Sequence, residues 1–224
     1  MTSFLLTADD ILRRARWTTH SPRPFAAVGT LVATICVFGL LYGGVMGAFG
    51  GVLGDRAWQV LYSAVKVPLL LLATFAISLP SFFVLNTLFG LRRDLGEAIR
   101  ALVATQAGVA IVLASLAPLT ALWYVSSDDY QAAILFNALM FGIASLAAQL
   151  LLRGYYRPLV ARNPKHRLLL WAWIVVYTFV GIQMGWMLRP FVGGPYTPVS
   201  FFREDTWGNA YVIVGRLFWQ VLTQ

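Results

Sequence analysis

The side chains that could carry acid–base or metal chemistry lie outside the apolar stretches of this sequence. All nine carboxylates are in polar segments: Asp9, Asp10, Asp55, Asp94, Glu97, Asp128, Asp129, Glu204 and Asp205. Proton relays and cation-coupled carriers usually need an acidic side chain between membrane helices, so the sequence argues against both classes. His20 and His166 lie in basic segments without the acidic or cysteine cluster of a zinc site.

The nucleophilic side chains form no recognisable catalytic arrangement. Cys36 is the only cysteine, which excludes a disulfide within the chain and a cysteine metal site. The serines and threonines are scattered, without the spacing of a Ser/His/Asp or Cys/His site. We therefore predict a protein that is not an enzyme and that has neither a cofactor nor a metal.

Lys66 is a charged residue at the start of the second apolar stretch. We predict that its ammonium group reaches the outer membrane interface by snorkelling and anchors the helix there. The alternative function is contact with an anionic headgroup or ligand at the outer face. Asp128 and Asp129, in the other outer loop, are candidate partners for the ammonium group.

Glycines recur at every fourth position of the first apolar stretch, at Gly39, Gly43, Gly47 and Gly51. This spacing places them on one helix face, where another backbone can approach closely. The sequence predicts a helix-packing seam. The seam could join two helices of this chain, which is the favoured interpretation, or two subunits.

Membrane-spanning helices must position these residues. Of the 224 residues, 59% are apolar and 12% are charged, with a mean hydropathy of +0.72, whereas soluble domains are about 25% charged. Five stretches reach the roughly 20 residues that cross a hydrocarbon core, namely 25–48, 67–89, 101–124, 131–152 and 168–188. We predict an all-α fold, a polytopic transmembrane bundle of five spans, with six spans as the alternative.

Two flanking segments, 1–24 and 189–224, complete the predicted organisation around a bundle at 25–188. Thr7 and Asp10 match a capping box, which predicts an interfacial amphipathic helix near the N-terminus. Residues 209–222 are too few to span the membrane and include Arg216. We predict that they form a second interfacial helix.

The tail beyond the fifth span is rich in aromatic residues and is predicted to offer a surface to a partner. The residues of this surface are Arg189, Phe201, Phe202, Trp207 and Trp219. This much apolar area is untypical of a disordered tail. Docking of the tail on the membrane surface is the alternative.

The basic residues predict the orientation of the chain. Twelve of the 17 lysines and arginines fall on one side of the predicted spans: Arg13, Arg14, Arg16, Arg23, Arg92, Arg93, Arg100, Arg153, Arg157, Arg162, Lys165 and Arg167. By the positive-inside rule the N-terminus is cytoplasmic and the tail is outside. Because this charge lies in short loops between spans, we predict no nucleic-acid partner. Only Lys66 and Lys165 are lysines, and the excess of arginine fits a GC-rich bacterial genome, so we place the chain in a bacterial inner membrane.

The second and third spans resemble those of the Yip1-like small multispan membrane proteins and related bacterial membrane proteins. The resemblance is carried by Val67-Pro68, Leu79-Pro80, Gly90, the turn Leu95-Gly96-Glu97-Ala98, and Ala117-Pro118. It implies a non-enzymatic bundle that works through protein partners in the membrane. No catalytic residues are implied.

These observations predict a non-catalytic inner-membrane protein that binds a partner or assembles a membrane complex. Its partners would be the lipid bilayer and other membrane subunits or further copies of itself. The main alternative is a subunit of a small channel or transporter, which would conduct only as an oligomer because five such apolar helices contain few polar residues. An intramembrane enzyme acting on lipid is the third hypothesis.

Overall fold

The computed structural model describes residues 2–54, 56–194 and 199–202. Within these ranges the regular structure is entirely helical, so the predicted all-α fold is confirmed. The helices are α1 (Thr2–Leu12), α2 (Pro24–Gly47), α3 (Arg56–Leu88), α4 (Leu95–Ser126), α5 (Tyr130–Arg162) and α6 (Lys165–Met187).

Within the described residues, five helices, α2 to α6, are long and apolar enough to cross a membrane, which identifies a multi-pass membrane protein. Several helices extend well past the predicted apolar stretches. α5, for example, has 33 residues and is therefore about 50 Å long, whereas a hydrocarbon core is about 30 Å thick. Hydropathy identifies only the part of a helix inside the hydrocarbon, and α5 continues to Arg162.

The five long helices are neighbours in the order α6, α3, α2, α4, α5. α4 is the most buried of the five helices. Of its most apolar stretch of 18 residues, 67% is buried, compared with 17% for α6. Alanines on α4, such as Ala101, Ala104 and Ala107, are fully buried and let the neighbouring helices approach. α5 and α6 follow each other in the sequence yet make few contacts, which leaves a gap between them.

Hydrogen bonds between side chains at membrane depth join the helices. Asn137 of α5 accepts a bond from the Tyr42 hydroxyl of α2 at 3.0 Å and donates to the Tyr124 hydroxyl of α4 at 2.6 Å. Tyr177 of α6 donates to the Gln106 side chain of α4 at 2.6 Å. These two buried amides therefore help to hold the bundle together, as interhelical hydrogen bonds in membranes do.

The N-terminal helix α1 packs on the bundle instead of lying only on the membrane surface. Ile11 is fully buried, and its carbonyl oxygen accepts a hydrogen bond from the Tyr155 hydroxyl at 2.8 Å. The predicted capping box was wrong, because α1 begins at Thr2 and Thr7 lies inside it. Leu5 and Leu6 remain exposed on the other face.

We name the two ends of the bundle by their charge and position. The basic end comprises α1, the loop between α3 and α4, and the loop between α5 and α6, where the arginine-rich segments lie. The far end comprises the loops between α2 and α3 and between α4 and α5, together with the chain that follows α6.

Candidate functional site

The glycine seam of α2 faces α3 of the same chain. A Cβ atom added at Gly39 would lie 3.1 Å from Cδ of Pro68. At Gly43 it would lie 2.8 Å from Cα of Ala64, and at Gly47 it would meet the α3 backbone at the same distance. These three glycines therefore form the predicted packing seam, and the seam joins two helices within one chain.

Gly51 is not part of this seam, so the prediction was wrong for the fourth glycine. α2 ends at Gly47, and Gly51 lies in the following loop with a φ of +119° and nothing within 4 Å of its added Cβ. The chain turns here through left-handed conformations that favour glycine. The regular spacing in the sequence continued past the point where the helix stops.

Lys66 lies inside the bundle, which corrects its predicted place at the outer interface. Its side chain is fully buried, and its ammonium group donates a hydrogen bond to the carbonyl oxygen of Pro190 at 2.6 Å. The Phe201 ring centroid lies 4.9 Å from the same ammonium group. The predicted partner Asp129 instead caps α5, where its carboxylate accepts from the backbone N–H of Gln131 at 2.8 Å. Lys66 cannot snorkel because its helix face is covered by the chain that follows α6.

Two more polar side chains on the same face of α3 bind this chain. Gln59 donates to the side-chain oxygen of Ser63 at 2.9 Å and to the carbonyl oxygen of Phe191 at 3.2 Å. Ser63 also donates to the Phe191 carbonyl. The spacing of four and then three residues from Gln59 to Ser63 to Lys66 places all three on one helical face.

We call residues 189–193 the crossing segment, because they run from the end of α6 across α3 to α5. On the α5 side, the Tyr130 hydroxyl donates to the Val192 carbonyl at 3.3 Å. At the α6 side, the Arg189 guanidinium carbon lies 3.4 Å from the Trp186 ring centroid, an arrangement typical of a cation–π contact. Backbone groups without a helix need such partners at membrane depth.

The predicted partner surface is divided by the structure. Arg189 covers Trp186, and Phe201 packs edge-on against Tyr62 with ring centroids 5.4 Å apart. Phe202 is 49% exposed and remains available at the surface. Trp207, Trp219 and the predicted interfacial helix at 209–222 lie outside the described residues.

Next to the crossing segment, the gap between α5 and α6 forms a cavity of about 580 Å³, which we call the far-end cleft. Its walls are almost wholly apolar. The lining residues include Tyr130, Ile134, Ala138 and Phe141 of α5, Gly185 and Trp186 of α6, and Pro190, Phe191 and Val192 of the crossing segment. Met46 of α2 and Leu70 of α3 also line it, and Asn137 and Arg189 are its two polar lining residues apart from Tyr130 and Trp186.

Sequence reasoning missed Gln59, Ser63 and Tyr130, which hold the crossing segment. A signal was present for the first two, since they share a helical face with Lys66. They were overlooked because they precede the apolar stretch at 67–89, whereas α3 already begins at Arg56. No local signal pointed to Tyr130, whose partner is 62 residues further along the chain.

Comparisons with protein-family models, with curated proteins and with solved structures find no match to this chain. In the part of the chain that the structure describes, no group of three or more His, Cys, Asp or Glu side chains is placed to hold a metal ion.

Proposed function

We propose that this protein is a non-catalytic component of a membrane complex, and that its far-end cleft receives a transmembrane helix of a different membrane protein. The proposal includes a location in the inner membrane with the basic end in the cytoplasm, on the strength of the positive-inside rule. The observation that carries it is the cleft itself. An apolar gap of about 580 Å³ separates two helices that are consecutive in the sequence.

The lining of the cleft suits a helix. Two small residues line it, Ala138 on α5 and Gly185 on α6. An added Cβ at Gly185 would meet nothing within 4 Å. Small residues at such positions let a second helix approach closely and gain van der Waals contacts. The glycines of the α2 seam, by contrast, are already in contact with α3.

The crossing segment supports the same function because it closes the far-end side of the cleft. Its carbonyl groups are bound by Lys66, Ser63 and Gln59, so it is held against α3. Phe191 and Val192 of this segment line the cleft. A partner helix would therefore meet a preformed surface and lose little conformational entropy of the receptor on binding.

Two buried amides favour assembly over conduction. Asn137 and Gln106 are engaged in bonds with Tyr42, Tyr124 and Tyr177. These bonds run between helices of the bundle. A pore would instead need polar groups that face a shared aqueous path.

A site-specific photo-crosslinker in native membranes tests the proposal. Placed at Ala138 in the cleft, it should give one discrete adduct with another membrane protein. The amount of this adduct should rise in proportion to the amount of this chain in the membrane. Placed at Leu146, which is 70% exposed on the same helix, it should give lipid adducts only. The same partner should co-purify in a constant molar ratio.

Matched variants decide whether the adduct reports on the cleft. Gly185→Leu should abolish it, because the added side chain fills the gap between α5 and α6. Gly29→Leu places the same side chain on α2, where an added Cβ also meets nothing within 4 Å, and should leave the adduct unchanged. Adducts with lipid alone, or between two copies of this chain, would contradict the assignment of the cleft to a different protein.

A further inference from the structure

A second cavity lies between α5 and α6 at the basic end, which we call the basic-end pocket. Its volume is about 450 Å³. α5 contributes Arg153, Tyr156, Arg157 and Val160, and α6 contributes Arg167, Leu170, Trp171 and Ile174. The pocket shares no lining residue with the far-end cleft. The two cavities are therefore separate, and each can bind a different molecule.

Three arginines of this pocket lack a counter-charge. Within residues 2–54, 56–194 and 199–202, no ion pair or side-chain hydrogen bond involves Arg153, Arg157 or Arg167. Arg153 and Arg157 are one helical turn apart, so their charges repel each other. An anion between the two helices would turn this repulsion into attraction.

The carboxylates of the basic end are engaged elsewhere. Glu97 binds Arg162 through both oxygens, at 2.8 and 3.0 Å, and Asp94 binds His166 at 3.0 Å. Asp9 pairs with Arg13 at 2.8 Å, and Asp10 accepts from the indole of Trp17 at 3.0 Å. The described part of the chain thus supplies the pocket with no acidic partner, and the anion has to come from outside.

Tyr156 offers a hydrogen bond in the same pocket. Its side chain is fully buried, it lines the cavity, and its hydroxyl group has no hydrogen-bond partner among the described residues. A buried hydroxyl group without a partner is unfavourable. A small shift of this side chain would let its hydroxyl group donate a hydrogen bond to a phosphate oxygen, while the guanidinium groups bind the remaining oxygens.

The pocket continues into an apolar groove. From Arg167, the lining follows α6 toward the membrane interior through Leu170, Trp171 and Ile174. Trp171 is 51% exposed, so the groove opens at the lipid-facing surface. The apolar stretch of α5 ends just before Arg153, which places the arginines at headgroup depth. A free phosphate ion would leave this groove unused, whereas an acyl chain would fill it.

We infer that the basic-end pocket binds an anionic phospholipid from the adjacent leaflet. Its phosphate group lies among Arg153, Arg157 and Arg167, and one acyl chain lies along Leu170 and Ile174. Basic pockets between transmembrane helices are a recurrent way to hold anionic headgroups. This function is independent of the partner proposed for the far-end cleft.

Native mass spectrometry of the full chain, titrated in detergent with phosphatidylglycerol or phosphatidylcholine, tests the inference. We expect phosphatidylglycerol to bind about tenfold more tightly or better, since each arginine near an anionic lipid contributes measurably. Replacing Arg153, Arg157 and Arg167 together by Gln should remove this preference. The matched control replaces Arg23, Arg92 and Arg93, which are exposed arginines at the same end, and should keep it.

A second pair of measurements separates a lipid from a free anion and does not depend on the folding of the triple variant. Ile174→Trp blocks the groove with all three arginines in place and should lower phosphatidylglycerol binding, whereas millimolar glycerol phosphate should fail to displace the bound lipid. Displacement by glycerol phosphate, or unchanged lipid binding by Ile174→Trp, would overturn the lipid assignment. Equal binding of the two lipids by the unaltered chain would overturn the charge argument.

Discussion

The ammonium group of Lys66 lies 2.6 Å from the carbonyl oxygen of Pro190, a residue 124 positions further along the chain. This bond joins the first third of α3 to the segment that follows α6. It is made by a side chain with no exposed surface. The crossing segment, and with it the wall of the far-end cleft, therefore depends on a buried hydrogen bond that no local sequence pattern predicts.

Lys66→Met should loosen the crossing segment while it preserves most of the side-chain volume. The carbonyl of Pro190 would lose its partner in a buried setting, at a cost of about 1 to 3 kcal/mol. We expect faster hydrogen–deuterium exchange at residues 189–194 and little change in α4. Val65→Met, on the neighbouring 40% exposed position, is the control. Unchanged exchange in the crossing segment would show that Gln59 and Ser63 hold it without Lys66.

Gly43→Leu and Gly47→Leu should each destabilise the bundle strongly. Even a Cβ atom at Gly47 would lie 2.8 Å from Cα of Val60, so the larger side chain forces α2 and α3 apart. Overpacking of this kind costs about 1 to 3 kcal/mol or more. Thermal unfolding in detergent measures it. Gly44→Leu, with open space beside it, should unfold as the unaltered chain does, and equal stability of all three variants would contradict the seam.

The ion pairs around Glu97 should stabilise the basic end in a salt-dependent way. Glu97→Gln removes the bidentate partner of Arg162, whose side chain is 47% exposed, so we expect a loss of about 1 kcal/mol or less. High salt should shrink the difference in unfolding midpoint. Asp9→Asn breaks a more exposed pair with Arg13 and should change almost nothing. A loss at Glu97 that persists in high salt would point to packing instead of charge.

Cysteine labelling tests the predicted orientation. In a Cys36→Ser background, a cysteine at Ser127 in the far-end loop should react with a membrane-impermeant reagent in intact cells. A cysteine at Asn163, in the loop of the basic end, should react only after permeabilisation. The prediction follows from the 17 basic residues, most of which lie at that end. The opposite labelling pattern would reverse the topology.

The tail beyond Arg203 stays a prediction from sequence, because it lies outside the described residues. We expect it to pack at the outer face, since each well-buried aromatic side chain contributes about 2 to 3 kcal/mol. Limited proteolysis from the far-end side should then cleave slowly between Arg203 and Arg216. Rapid cleavage in intact membranes, with or without a partner, would mean that the tail is not packed.

In the described part of the chain, the number and place of the membrane helices followed from the sequence because crossing a bilayer is a local requirement. A span needs about 20 apolar residues in a row and satisfies its backbone within itself. The stretch at 25–48 thus predicted α2 at Pro24–Gly47 almost residue for residue. The face made by Gly39, Gly43 and Gly47 could also be predicted from the sequence, because a spacing of four residues within one helix is a local pattern.

Which surfaces meet depended on the tertiary structure, because helix pairing joins residues that are far apart in the sequence. The spacing of the glycines did not predict that α3 packs against them. The position of Lys66 did not predict that the chain after α6 covers it. The gap between α5 and α6 is a further case, since adjacent helices usually pack together. The far-end cleft and the basic-end pocket both exist because α4 packs against α5 on one side of the bundle, whereas α3 packs against α6 on the other. Shape complementarity between distant faces set that arrangement, and hydropathy carries no information about it.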